Sequence, residues 1–517
     1  MTLRTATRDR GAGITAPVAP VGDRDRRRRV TDPARRDRRK GERTPRTLVP
    51  ARAPCQRKAT KRAAPVANVL RVRMYRVGFG DFFLLTVPSP DGPQHILIDC
   101  GVHAANIGSM PDCIADLCDV TQRKLALVVV THNHADHLSG FATHDDVFST
   151  FDVGAVWITN RLDPADGEVV RQRHRIAAIA SDLALQFQLR LRLGLDDEAA
   201  DVARQALAKV ENALGTGFGV AGGVNARALD VVTHQFRNAP PVFYYEAGDA
   251  PALPAALRGV IDAEILGPCP KALADDFGAS DDKLAQYFAA AARSGASGSE
   301  RFHPFERQWP ATANDYWIGA FRPWPTPAAL EKALRNLQPD AEVAAAELID
   351  STLNNQSLVI LFTCRNRKLL FVGDAQWGNW AYWLYGKTVR GKPPGISERA
   401  REILASVDFY KVGHHGSTNA TPIPVVGALP VNCAAMCSTE TGYPRERRTY
   451  GNVLAKTEVP RTALMDALET RTRRKLVRSD WIAAGEAPAS PEAKAELAQL
   501  PAHFGAGDNY IDYVFPD

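Results

Sequence analysis

The sequence predicts an α/β fold, because apolar runs typical of buried strands lie on both sides of a long segment typical of helices. Residues 125–130 are leucine, alanine and valine only, and such a β-branched run favours a buried strand. Residues 69–77 alternate apolar and polar side chains, as a half-buried strand does. Residues 165–215 place apolar side chains at helical spacing among Ala, Leu, Arg and Glu, which predicts one or two long helices.

Strands are predicted before and after this helical segment. In chain order they span residues 69–77, 82–87, 95–99, 125–130, 153–159, 262–268, 357–363, 368–372, 409–412, 434–437 and 510–515. A glycine-rich link at 215–223 ends the helical segment, and a short helix is predicted at 327–337. Because the interval between the early and late strands is far longer than an α/β fold needs, much of 160–350 is assigned to insertions.

The first 65 residues differ in composition from the rest of the chain. They contain 20 basic and 6 acidic residues with hardly any aromatic side chain, whereas the remainder contains 44 basic and 52 acidic residues. This composition predicts a disordered basic arm at 1–65, followed by a folded domain at 66–517. The arm either binds nucleic acid or another anionic surface through non-specific contacts, or has no role, and both interpretations stay open.

The sequence also predicts a compartment. It has no run of 18 apolar residues and no N-terminal order typical of a signal peptide, so no membrane segment is expected. The eight cysteines form neither a Cys-x-x-Cys pair nor a dense disulfide framework, and several fall in predicted strands. Buried thiols of this kind suit a reducing compartment, which predicts a cytoplasmic protein.

The sequence His-x-His-x-Asp-His at residues 132–137 directly follows the predicted strand at 125–130. Open α/β folds place their chemistry at the carboxyl ends of strands. Three imidazoles and one carboxylate so close together are the nitrogen and oxygen donors that zinc and similar ions favour. Because a bend in the loop turns successive pairs in different directions, the spacing predicts two adjacent ions. One would bind His132 and His134, and the other would bind Asp136 and His137.

This motif resembles the signature of the metallo-β-lactamase superfamily, and further stretches match that family's pattern in the same order. They are Ile-Leu-Ile-Asp-Cys-Gly at 96–101, Leu-Leu-Phe-Val-Gly-Asp at 369–374 and Lys-Val-Gly-His-His-Gly-Ser at 411–417. The last stretch, with Val-Gly-Phe-Gly-Asp at 77–81 and Asn-Asn-Gln-Ser-Leu-Val-Ile at 354–360, is similar to the branch containing the hydrolase domain of ComEC-type DNA-uptake proteins. The resemblance implies an αββα sandwich, in which two sheets pack face to face with helices outside, with large helical insertions.

The resemblance also implies a set of site residues. The metal set is His132, His134, Asp136, His137, Asp374 and His414, and the catalytic set is Asp136, Asp374 and His415. Which member of the His414/His415 pair is a ligand stays open, and the other is expected to contact the substrate or donate a proton. Asp374 is expected to bridge two divalent ions, zinc or else manganese. Asp99 is expected to orient a ligand imidazole, and Asp81 either does the same or stabilises its turn.

Two further groups of residues fall outside the predicted site. The superfamily usually supplies one more histidine between the first motif and the later Asp, but His234 and His303 lack matching neighbours in the sequence. The tryptophans at 377, 380 and 383 share one helical face, which more often packs in a core than stacks on a nucleobase.

The resemblance implies a hydrolase in which two metal ions share the hydroxide that attacks an ester. A phosphodiesterase or nuclease-like activity is the leading hypothesis, because this branch is associated with DNA processing. Hydrolysis of a lactone, thioester or phosphorylcholine ester is the alternative, and a non-catalytic binding module is a third hypothesis. The acidic balance of residues 66–517 weakens the nucleic-acid hypothesis, and the basic arm partly restores it.

Overall fold

The computed structural model describes residues 68–103, 108–193, 197–215, 223–273, 339–386, 395–417, 419–440, 459–481 and 500–516. The predicted basic arm, most of the glycine-rich link and the predicted helix at 327–337 lie outside these described residues.

Sixteen strands occur in the described residues, and every strand predicted from the sequence overlaps one of them. In chain order they are β1 (Arg71–Tyr75), β2 (Phe82–Val87), β3 (Gln94–Cys100), β4 (Lys124–Leu125), β5 (Leu127–Val130), β6 (Asp152–Val153), β7 (Val156–Thr159), β8 (Val242–Tyr245), β9 (Asp262–Gly267), β10 (Val359–Cys364), β11 (Arg367–Phe371), β12 (Phe409–Lys411), β13 (Ala434–Cys437), β14 (Leu476–Arg478), β15 (Phe504–Ala506) and β16 (Tyr510–Val514). The first sheet has the order β15-β16-β1-β2-β3-β5-β7-β8, and the second has the order β14-β13-β12-β11-β10-β9. β4 and β6 form a separate two-stranded sheet.

Eleven α-helices accompany the sheets in the described part of the chain. They are α1 (Met110–Thr121), α2 (Ala135–Thr143), α3 (Asp145–Phe148), α4 (Gly167–Leu193), α5 (Asp197–Leu214), α6 (Val224–Asp230), α7 (Pro339–Asn354), α8 (Trp377–Tyr385), α9 (Glu398–Ala405), α10 (Ile423–Ala428) and α11 (Thr462–Arg471). The fold is therefore mixed α/β, as the sequence predicts.

The two large sheets share one core between them. Phe83 of β2 contacts Phe371 of β11 edge to face, with ring centroids 6.2 Å apart, and both belong to a core built from alternate side chains of the two sheets. The intervening side chains point outward: Leu84 packs with α1 and α2, and Leu370 packs with α8 to α11. Burial on both faces explains why the strands appear as continuous apolar runs in the sequence.

The segment at 165–215 forms two long helices, as its spacing predicts. α4 and α5 pack against α7 in a core of their own, which includes Phe187, Val210 and Leu353. α4 and α5 follow β7 in the chain, whereas α7 precedes β10, and together they form part of the predicted insertion.

Other expectations from the sequence can be compared directly with the described residues. Their seven cysteines are all free, and Cys100, Cys364 and Cys437 are buried in strands. No helix in the described ranges has both the length and the apolarity needed to cross a membrane.

Trp380 is fully buried and its indole N–H donates to the carbonyls of Ala375 and Ala420, so the core interpretation of the tryptophan face of α8 is confirmed.

Candidate metal centre

The residues predicted to form the site meet at one edge of the two large sheets. β3 and β5 run parallel in the first sheet, and β11 and β12 run parallel in the second. Asp99 lies at the end of β3, residues 132–137 follow β5, Asp374 follows β11 and His415 follows β12. Chemistry-bearing loops of both sheets therefore leave the carboxyl ends of parallel strands.

Four buried side chains form the centre of this site. Asp136, His137, Asp374 and His415 each place a ligand atom within 4.8 Å of the others. His137 Nε2 lies 3.1 Å from Asp374 Oδ2. His415 Nε2 lies 3.0 Å from Asp136 Oδ2 and 3.3 Å from Asp374 Oδ2. We call these residues the four-residue cluster; they could hold a metal ion.

The outer nitrogen of each imidazole in the four-residue cluster has a fixed partner. His137 Nδ1 lies 2.8 Å from a carboxylate oxygen of Asp99, and His415 Nδ1 lies 2.9 Å from the carbonyl oxygen of Ser438. Because a carbonyl or ionised carboxylate only accepts, both Nδ1 atoms carry a proton and donate it. Metal-binding histidines usually hold their second nitrogen in this way. The inner Nε2 atoms then face carboxylate oxygens, which is favourable only when these nitrogens are protonated or a metal cation lies between the two groups.

The carboxylates at the site exceed the fixed positive charge. Asp81, Asp99, Asp136 and Asp374 are each at most 2% exposed. Lys411, also 2% exposed, forms a close ion pair with Asp81 and places Nζ 3.4 Å from Asp374 Oδ1. Lys411 thus offsets one of four negative charges. An uncompensated buried charge costs several kcal/mol. Protons on imidazoles or a divalent ion must therefore supply the remaining positive charge.

The same charges shift the pKa values of the four-residue cluster. Burial lowers the pKa of His137, but neighbouring carboxylates, Asp374 foremost, outweigh burial and hold that pKa well above its ordinary value. The same competition raises the pKa of His415 to about 10. Burial alone would raise the pKa of Asp136, but His137 and His415 lower it by more, so the net pKa is below its ordinary value and this carboxylate stays ionised. The cluster therefore strongly favours positive charge at its centre.

Three buried polar atoms at the site test whether a metal ion would fit. His134 Nε2 has no hydrogen-bond partner in the described structure, although buried polar atoms are nearly always paired, while His137 Nε2 and Asp374 Oδ2 face each other at 3.1 Å. They are imidazole nitrogens and a carboxylate oxygen, the donors that zinc and related ions prefer. The residues present therefore fit a divalent ion.

His132 and His134 contact each other beside the four-residue cluster. His132 Nε2 and His134 Nδ1 lie 3.0 Å apart. Burial lowers the pKa of both, that of His132 well below its ordinary value, so both imidazoles are neutral, the form that binds metals. Within the described ranges, neither belongs to a group of three convergent His, Cys, Asp or Glu side chains. The predicted first ion thus has two clear ligands and lacks a third from these residue types.

The structure places His414 and His415 in different surroundings. His415 joins the four-residue cluster, whereas His414 is half-buried and its Nδ1 contacts Ser417 Oγ at 2.6 Å. His414 Nε2 lies 3.2 Å from Asn354 Nδ2. Both histidines have left-handed backbones, with φ of 41° and 51°, which cost about 1–2 kcal/mol each for residues other than glycine. The geometry therefore favours His415, from the catalytic set, as the ligand and gives no support to His414 in the metal set.

Asp99 and Asp81 both lie in the site. Asp99 accepts from His137, from the backbone N–H of Thr131 at 2.8 Å and from the Thr131 hydroxyl at 2.7 Å, so it fixes both the ring and the loop. Asp81 Oδ2 lies 3.7 Å from His137 Nδ1 and pairs with Lys411. The two carboxylates support the imidazole from outside the four-residue cluster.

Two glycines let the chain approach the loop at residues 131–137, which we call the metal-binding loop after its predicted ligands. A Cβ on Gly101 would lie 2.4 to 2.5 Å from backbone atoms of Asp136 and His137. A Cβ on Gly80 would lie 2.8 Å from the Asp136 carbonyl oxygen, and Asp81 N donates to that same oxygen at 2.9 Å. These contacts explain why a glycine, Gly80, directly precedes Asp81 and another, Gly101, follows closely after Asp99.

Sequence reasoning missed three residues of the site. Lys411 could have been noticed as a lysine at the end of an apolar strand. Asn212 lies in α5, where its Nδ2 donates to Asp136 Oδ1 at 3.0 Å and its Oδ1 accepts from the Asp136 backbone at 3.2 Å. Nothing in the sequence links Asn212 to the motif. His103, close after Asp99 in the chain, is an electrostatic neighbour of Asp136.

The two additional histidine candidates do not join the site in the described structure. His234 has a 74% exposed side chain and lies 3.3 Å from Asp230 of its own helix. His303 lies outside the described residues. Omitting both from the site agrees with the geometry where it can be compared.

No protein-family model matches this chain, and no curated protein matches it either.

Proposed function

We propose that this protein is a metal-dependent hydrolase of the metallo-β-lactamase superfamily, closest to the ComEC-type branch, and that its substrate is a phosphodiester. Two sheets that share a core, with helices on both outer faces, support the proposed αββα sandwich. The stretches that carry the resemblance also meet at one edge of these sheets, which supports a common role for them.

One observation carries the proposal. Inside the four-residue cluster, the Nε2 atoms of two histidines face the oxygens of Asp136 and Asp374, while their Nδ1 atoms are held as donors by Asp99 and Ser438. Positive charge makes this arrangement favourable, whether imidazole protons or a metal ion supply it, and the donor types suit zinc, or else manganese.

The four-residue cluster would hold one ion, and His132 and His134 would hold the other. No third side chain of these types converges on His132 and His134 in the described residues, and we propose Asp374, an electrostatic neighbour of both, for that role. Divalent ions held there would supply a nucleophile from water at neutral pH and offset the charge that develops on the attacked ester. The orientation of Asp374 supports a ligand role. Asp374 Oδ1 accepts the His414 backbone N–H at 3.0 Å, and Lys411 lies near this oxygen, which leaves Oδ2 directed at His137 and His415.

Other side chains would keep this geometry fixed during turnover. Asn212 contacts Asp136 Oδ1 and leaves Oδ2 to the four-residue cluster. Lys411 donates to the Gly373 carbonyl at 2.8 Å and so anchors the turn that carries Asp374. His414 is half-buried and hydrogen-bonded to Ser417. We propose that this side chain contacts the substrate or donates a proton to the leaving group.

The experiment is a metal-dependent hydrolysis assay on the full-length protein. The protein is treated with a chelator, reloaded with zinc or manganese, and assayed on bis(4-nitrophenyl) phosphate, single-stranded and duplex DNA, and a thioester. We expect phosphodiester hydrolysis that disappears on chelation and returns with metal. The Asp136→Asn variant should be inactive, whereas Asp145→Asn, which alters a surface ion pair with Arg227, should match the wild type.

Each other outcome has a defined meaning. Hydrolysis of the thioester alone would favour the other-ester alternative. Metal binding with no hydrolysis of any compound would favour a binding module. Protein that retains no divalent ion after reloading would overturn the proposal, because protonated imidazoles would then supply the missing positive charge.

A further inference from the structure

A cavity of about 390 Å³ lies beside the metal-binding loop. Its walls come mainly from the insertion helices and from α7, with apolar side chains such as Ile176, Leu214 and Leu353. Asn133, Gln356 and Arg173 add polar groups to this lining. A volume of this size and an apolar lining with few polar groups are typical of small-molecule sites.

The position of the cavity connects it to the candidate metal centre. Asn133 lies between His132 and His134 in the chain, so one wall of the cavity is the loop that carries both histidines. Asn225, another lining residue, donates to the Asn133 carbonyl at 3.1 Å and holds that wall in place. A molecule in the cavity would therefore touch the residue between the two histidines, although neither imidazole lines the cavity.

Arg173 distinguishes this cavity from a simple packing defect. Its side chain is half-buried and forms no hydrogen bond or ion pair with any residue in the part of the chain that the structure describes. Burial lowers the pKa of Arg173, as expected for a partly desolvated cation without a carboxylate partner. By contrast, Arg171 on the same helix is exposed and pairs with Glu168 at 2.5 Å. An anionic group in the cavity would give Arg173 the partner that it lacks.

We infer that this cavity binds the part of the substrate next to the scissile bond, and that Arg173 pairs with an anionic oxygen group on that part. The ligand is a small molecule with an apolar ring or chain and one carboxylate or phosphate. The placement of the scissile bond rests on the proposed hydrolase function, whereas the binding of an apolar anion does not.

The lining favours a small molecule over a polynucleotide. A nucleic-acid strand is held by several lysines or arginines along its phosphates and by aromatic side chains under its bases. Here one guanidinium, with His174 beside it in the chain, faces a space enclosed largely by alanine, leucine and isoleucine. Such a site recognises one charge on a compact apolar body.

Two probes that contain no ester bond test this inference. They are 4-phenylbenzoate and its neutral isostere 4-phenylbenzamide, titrated calorimetrically into the full-length protein. We expect the carboxylate to bind the wild type roughly tenfold more tightly than the amide, as one charge-assisted pair provides. Arg173→Gln should remove this preference, and Arg171→Gln, the same change on the same helix outside the cavity, should keep it. Ala177→Phe, which fills the cavity from an exposed helix position, should weaken both probes.

Three results would overturn the inference. They are equal affinity of the wild type for the two probes, a preference that survives Arg173→Gln, and a preference that Arg171→Gln also abolishes. A separate measurement concerns the active site: 4-phenylbenzoate should inhibit bis(4-nitrophenyl) phosphate hydrolysis competitively. Absence of hydrolysis in the wild type would count against the proposed function alone, because the calorimetric comparison needs no turnover.

Discussion

Asp374 is the side chain whose loss should affect the candidate metal centre most. Its Oδ2 atom lies 3.1 Å from His137 Nε2 and 3.3 Å from His415 Nε2, and no hydrogen bond satisfies it. If both ions share this oxygen, Asp374→Ala should lower the affinity for both ions, whereas His132→Ala should lower it mainly for one. Asp374→Asn keeps the shape but replaces the charge with an amide, so it should fail as well.

The size of the effect follows from the contacts of this carboxylate. Loss of a residue that merely supports a ligand lowers metal affinity by about 10- to 100-fold, and loss of a ligand should cost at least the upper value, about 2.7 kcal/mol. A shared ligand should impose this cost at both ions. We therefore expect Asp374→Ala to retain hardly any divalent ion and to hydrolyse the diester at least about a hundredfold more slowly.

The assay combines elemental analysis with the hydrolysis rate for wild type, Asp374→Ala, Asp374→Asn and His132→Ala. Asp145→Asn is the matched control, because it removes a surface carboxylate. Circular dichroism should show that every variant is folded. Two ions per chain and near-normal turnover in Asp374→Ala would refute both the sharing of Asp374 and the two-ion mechanism.

Four further predictions concern stability and the basic arm. Lys411→Met should lower the metal-free unfolding free energy by about 3 kcal/mol in urea, because two buried carboxylates lose their cation; an unchanged midpoint would contradict this. Gly101→Ala should cost about 2 kcal/mol and reduce metal content, because its Cβ meets backbone, whereas the Cβ of Gly427→Ala meets nothing within 4 Å and this helical position should be unchanged or stabilised by up to about 1 kcal/mol. His95 has a folded-state pKa lowered by burial to about 4, so the unfolded chain binds the extra proton and about 3 kcal/mol of stability is lost as pH falls from 6.5 to 4. The pH series should show a shallower loss for His95→Gln. Removal of residues 1–65 should leave unfolding cooperative and abolish any salt-sensitive DNA binding, and binding that persists undiminished would show that the arm is not responsible.

The core strands were predictable because burial on both faces leaves long apolar runs in the sequence. The run at 125–130 corresponds to β5 within a few residues. The alternation at 69–77 corresponds to β1, but this strand is buried on both faces rather than half-buried, because Arg73 is buried in an ion pair with Asp512. β8 and β14 were not predicted, because each is three or four residues long and lies at an edge of its sheet, where it has neither a measurable period nor a long buried run. Such segments become strands through hydrogen bonds to neighbouring strands, and these neighbours are distant in the sequence.

The candidate site was predictable where its residues are close together in the chain. His132 to His137 form one local motif, and the positions of Asp99 and Asp374 follow from the strands that they end. The choice between His414 and His415 was not predictable, because it depends on two left-handed backbone conformations that point adjacent rings into different surroundings. Asn212 was not predictable either, since a helix packed through tertiary contacts brings it to Asp136.

The contact between Asn212 and Asp136 gives the inserted helices a part in metal retention. Both ends of the Asn212 amide hold Asp136, once through its side chain and once through its backbone. Separation of α5 from the loop at residues 131–137 would therefore leave Asp136 held mainly by His415. If the centre holds an ion, its retention should then depend on how firmly the inserted helices pack against this loop.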